Sequence, residues 1–199
     1  MKNRSQSQSI RNLVLTAVFS ALIIVMTVTP YVGYISYGGI EITTLHIVAI
    51  LAGVCLGPLY GAVVGGVWGL SCIVRAYVAF PVFLDYGFGN FFVAGLPRIL
   101  VGLVAGAVFF ALRKTKLPQF LSAAISAVCG TFTNTACVLT AMHIWQNVHK
   151  VGEMSDMRVI FGNIFQTLIG VNGLIELAAA VILVPALYRA VSKVMQRAG

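Results

Sequence analysis

Acidic side chains are almost missing from this chain, with five Asp and Glu in 199 residues. All charged residues together make up 9%, against about 25% in an ordinary soluble domain. There is no G-x-x-x-x-G-K-[ST] phosphate loop, so nothing here predicts ATP hydrolysis by the chain itself. H-E-x-x-H and G-x-S-x-G are absent too, and the histidines His46, His143 and His149 are scattered at span ends or outer loops. The sequence therefore predicts no enzyme, no catalytic residue, no metal site and no cofactor. The four cysteines, Cys55, Cys72, Cys129 and Cys137, form no C-x-x-C pair and lie in apolar runs, where small packing residues are expected.

What is present is apolar. Hydrophobic residues are 59% of the chain and mean hydropathy is +0.96. A spanning helix needs roughly 20 mostly apolar residues. Such runs fall at 10–29, 45–56, 58–78, 91–112, 118–142 and 161–188, the second being short and ending at Gly57-Pro58. The runs are too long and continuous for barrel strands. The expectation is an all-α membrane protein of six transmembrane helices in one bundle, a single integral domain over 1–199. Residues 1–9 are expected to be a disordered polar tail. The first run is too long for the core of a secretory signal, so retention in the membrane is expected.

Charge orients the bundle. Lys2, Arg4 and Arg11 precede the first run; Arg113, Lys114 and Lys116 follow the fourth; Arg189, Lys193 and Arg197 follow the sixth. Six spans place all three clusters on one face, which the positive-inside rule makes cytoplasmic, together with both termini. Glu41, Asp85, Glu153 and Asp156 fall in the opposite loops. The net charge of +8 is thus a topology signal and not a nucleic-acid footprint. The three outer loops, near 30–44, 79–90 and 143–160, are long and aromatic, and the first alternates as a short hairpin does.

Polar residues inside the spans concentrate toward the outer side. Arg75 lies near the outer end of the third run, and Arg98 lies roughly 10 Å into the fourth. Thr131, Asn134 and Thr135 share a face of the fifth run by their spacing. Asn163 and Gln166 lie in the outer third of the sixth, with Asn172 and Glu176 near its middle. Charge at membrane depth is costly and normally faces a cavity or a partner. A solute pocket open to the outside accounts for this bias; internal pairing of Arg98 with Glu176 is the alternative. Small residues recur four apart, at Ala17 and Ala21, at Gly57, Gly61, Gly65 and Gly69, and at Gly102 and Gly106. They allow close helix approach, either within the bundle or against another membrane protein.

Ala17-x-x-x-Ala21, the segment LHIVAILAGVCLGPLYGAVVGGVWGL at 45–70, and Pro97-Arg98 followed by ILVGLVAG occur in an order that resembles the S components of energy-coupling factor (ECF) vitamin transporters. The resemblance covers essentially the whole chain. It implies a prokaryotic plasma-membrane protein that captures a vitamin from outside. Its partners would be a membrane coupling subunit and two cytoplasmic ATPases, with Ala17 and Ala21 docking on the coupling subunit. The pattern looks most like the pantothenate-type branch. For that cargo Arg98 or Arg75 would hold the carboxylate. Asn134, Asn163 or Gln166 would read the amide and hydroxyls, and Trp68 and loop-one tyrosines such as Tyr37 would cover the aliphatic part. Another vitamin (riboflavin, folate, a pyrimidine or pyridoxine precursor) and a stand-alone secondary transporter using Glu176 are the rival readings. A small membrane enzyme is disfavoured by the single acid within the spans.

Overall fold

The computed structural model describes residues 2–37, 40–149, 170 and 173–197. Helix α1 runs Lys2–Val28. The expected disordered tail is instead, from Lys2 onward, the first turns of this helix. No Gly or Pro interrupts the chain before Pro30, and Lys, Arg and Gln are good helix formers. The first outer loop holds the expected hairpin, β1 (Tyr34–Tyr37) against β2 (Ile40–Thr43), antiparallel with Tyr34 opposite Thr43.

Helix α2, Leu45–Leu56, is buried except at Cys55. Gly57, at φ 115°, ends it in a conformation L side chains resist, and Pro58 opens α3 (Pro58–Val78) from a position that needs no N–H. The third loop holds a single turn, α4 (Val82–Asp85), and then a π-helical turn over Phe91–Gly95 that leads into α5 (Leu96–Leu112). Helix α6 runs Gln119–His149 and α7 Gly173–Arg197. The fifth loop was expected to begin at 143; residues 143–149 are instead still helix, the last turns of α6. The expected span 161–188 lies in part outside the described residues, and its residues from Gly173 onward belong to α7, which runs on to Arg197.

Among the described residues five helical stretches are long and apolar enough to cross a membrane: 8–28, 58–78, 91–112, 119–142 and 173–195. Helix α2, twelve residues and so about 18 Å long, is shorter than the hydrocarbon core. It sits at the centre, touching α1, α3, α5, α6 and α7. At one end of the bundle Arg11 Nη1 donates to the Met195 carbonyl (3.2 Å), Tyr188 Oη donates to Gln119 Oε1 (3.0 Å), and Arg189 lies over the Phe120 ring. The starts of α1 and α6 and the end of α7 are therefore gathered there, and the hairpin lies at the other end.

Apolar burial does not drive helices together in lipid; close packing does. The glycines of α3 supply it. A side chain at Gly61 would come within 2.5 Å of the Gly102 carbonyl oxygen, and one at Gly69 within 2.7 Å of the Gly95 Cα. At Gly65 it would strike the Arg98 carbonyl. The ladder is thus spent inside the bundle, against α5. Ala17 and Ala21, in contrast, are exposed on α1 among Leu13, Val14, Val18 and Leu22.

Candidate functional site

The π-turn and the Pro97-Arg98 pair set the site's key cation. In a regular α-helix the N–H of residue 97 would bond to the Val93 carbonyl, but proline has none. Arg98 Nη1 donates to that carbonyl instead (2.9 Å), which folds the guanidinium back along the helix toward the hairpin end. Arg98 is only 7% exposed, and its Nε has no hydrogen-bond partner. Its guanidinium carbon lies 5.4 Å from the ring centres of both Trp68 and Phe88. Trp68 is fully buried, and its indole Nε1, near the Tyr34 hydroxyl, completes no well-formed hydrogen bond.

These groups border a cavity of about 140 Å³ lined by Tyr34, Thr43, Trp68, Cys72, Arg75, Ala76, Phe83, Phe88 and Arg98. The Tyr34 hydroxyl lies 3.1 Å from Cys72 Sγ. Arg75, in the last turn of α3, lies 3.9 Å from the Tyr34 ring centre and 4.2 Å from that of Phe80. It joins the hairpin to the third loop through cation–π contacts. Trp145 of α6, stacked on His149 at 3.7 Å, closes against Gly87 of the same loop.

Among the described residues no carboxylate lies within ion-pairing distance of Arg98. Glu176 is buried on α7, and its Oε1 accepts the Thr43 N–H (2.7 Å). It ties β2 to α7, and Arg98, the partner named in the alternative reading, is in electrostatic reach of it without a direct ion pair. Asn134 and Thr131 are buried on α6 with Oδ1 and Oγ1 unpartnered, but neither lines the cavity. Asn163 and Gln166 lie outside the described residues, as does the side chain of Tyr37. So Arg98, Arg75 and Trp68 are brought together. Tyr34, one of the loop-one tyrosines expected to cover the solute, lines the cavity; Thr43, Cys72, Phe83 and Phe88 are cavity residues that sequence reasoning missed. The only signal for them was the aromatic richness of the outer loops. A larger groove between α6 and α7, about 590 Å³, is lined by residues such as Thr131, Phe132, Leu139 and Leu177 and carries no charge.

A buried cation beside a second N–H donor, facing a small closed space, suits an anionic solute. Comparison with known proteins agrees with a transport role. Residues 11–188 match the family model described as ECF transporter, substrate-specific component. The chain belongs to that family and is a multi-pass membrane transport component. It is 30% identical, over 94% of its length and 95% of the relative's, to a protein of Leuconostoc mesenteroides subsp. mesenteroides named pantothenate transporter PanT. It is 28% identical, over 89% and 91% of the two lengths, to one of Lactococcus lactis subsp. cremoris named pantothenic acid transporter PanT.

Proposed function

We propose that this protein captures pantothenate at the outer face of a prokaryotic plasma membrane, as the high-affinity binding subunit of an ATP-driven importer. The observation that carries this reading is Arg98, buried, with no described carboxylate in ion-pairing distance, and placed with the Trp68 N–H at a small cavity. A carboxylate entering there exchanges water for two kinds of donor in a dry site, where charge-assisted hydrogen bonds are strong. The rings of Phe83, Phe88 and Tyr34 match an aliphatic chain in contact with it. Asn134, Asn163, Gln166 and Tyr37 belong to the same proposal as readers of the amide and hydroxyls or as cover for the chain.

Six membrane passes with both termini inside fit the arrangement. Helix α2 leads from the hairpin end to Gly57-Pro58, where Gly57 lies near Phe110, and Arg113 stacks on that same ring. Arg11 and Met195 meet at one end of the bundle. The partners are a membrane coupling subunit and two cytoplasmic ATPases, with Ala17 and Ala21 as the exposed docking stripe on α1.

Native mass spectrometry of the detergent-purified chain, followed by thermal-shift titration with a vitamin panel, tests the cargo. A bound small acid, with stabilisation by pantothenate and no other vitamin, is expected. Stabilisation by a different vitamin instead would discard pantothenate while keeping the capture role. Uptake by vesicles that lack coupling proteins would replace the ATP-driven reading with ion-coupled transport.

A further inference from the structure

The cavity's volume poses a problem that nearby polar groups answer. About 140 Å³ is well below the roughly 300–1,000 Å³ of pockets that hold small organic ligands. A solute longer than a few atoms must displace part of the wall. Most of that wall is aromatic ring or the body of α3. Thr43 is different: it ends β2, and a single bond from its N–H to Glu176 Oε1 ties it to α7.

Three residues further on, in the first turn of α2, stands His46. It is completely buried, and neither Nδ1 nor Nε2 has a hydrogen-bond partner. Its ring lies beside the main chain of Thr43 and Glu176. A neutral imidazole carries one donor and one acceptor. That main chain is within reach of one ring nitrogen; the other is left unmet in the interior, which is rare and calls for a partner. Thr43 therefore stands between two sets of polar side chains, each with bonding capacity left over. Arg98 and Trp68 can only donate. An ionised Glu176 can only accept, and His46 can do either.

We propose that the solute site continues past Thr43 to His46 and Glu176, and that His46 is a specificity residue for a hydroxyl or amide N–H remote from the solute's carboxylate. The site is then polarised, with a donor end for the acid and an acceptor end for the polar head. This inference rests on the pantothenate reading and adds to it which end of the molecule goes where.

The test is calorimetric titration of the purified chain with pantothenate and with an analogue whose terminal hydroxyl is replaced by hydrogen. It is run on the wild type, His46→Leu and His46→Gln. The wild type should bind the analogue about tenfold more weakly, since a buried group left unpaired is penalised. His46→Leu should lose a similar factor for pantothenate and discriminate little between the two ligands. His46→Gln, which can still donate and accept, should recover part of the preference. If His46→Leu keeps the wild-type preference, or if the wild type has none, the subsite is refuted while pantothenate capture stands. Should His46→Leu fail to fold, an unchanged preference in His46→Gln refutes it equally. A wild type that binds no pantothenate removes the function and this subsite together.

Discussion

Helix α3 presents two adjacent stripes with opposite roles. One stripe, Gly61, Gly65 and Gly69, meets the backbone of α5 and its π-turn with no room for a side chain. The next, Trp68, Cys72, Arg75 and Ala76, faces the cavity. The first stripe is what makes the second useful. Gly65 packs on the Arg98 carbonyl, so the closeness of the seam fixes where the arginine starts. Pro97 and the Val93 carbonyl then fix where it points. Rigid packing on one side of a helix thus positions a charge for use on the other.

Substitutions can separate the two stripes. Arg98→Ala should weaken pantothenate binding by about 100-fold or more, because the bound carboxylate loses its counter-charge in a dry site; calorimetry reads this, and normal binding would make Arg98 structural. Gly65→Leu should destabilise the folded chain by about 3 kcal/mol, the upper range for overpacking, and weaken binding with it. Melting in detergent gives the first effect. Gly66→Ala is the control. Its nearest neighbour is the Ile99 side chain at an ordinary 3.6 Å, so stability should change by less than about 1 kcal/mol, and in the favourable direction. Equal damage from both glycine changes would mean that the stripe has no special role. Arg75→Gln should cost about tenfold in affinity, mostly as faster release, through loss of its contacts with Tyr34 and Phe80. Pro97→Ala restores an N–H that competes for the Val93 carbonyl, and roughly threefold weaker binding is expected with little loss of stability.

The sequence was a good guide wherever punctuation is chemical. Gly57-Pro58 marks the break between α2 and α3, and both boundaries fall where expected. Arg98 was legible because charge is rare at membrane depth. Hydropathy marks the bilayer and not the helix, so α1 begins earlier and α6 ends later than the apolar runs. The glycine ladder announced a close approach but not its partner, since spacing carries no pairing information. Thr43, Cys72, Phe83 and Phe88 were hidden because they meet only after the hairpin, α3 and the third loop are folded together. His46 read as a scattered histidine, and only its burial gives it weight.

The account turns on whether Arg98, and not Arg75, holds the acid. Calorimetry of the wild type and Arg98→Ala with pantothenate and with its uncharged carboxamide answers this directly. The wild type is expected to prefer the acid by about 100-fold, and Arg98→Ala to prefer it by no more than about threefold. A variant that lacks Arg98 yet keeps the full preference would place the carboxylate elsewhere and contradict the account.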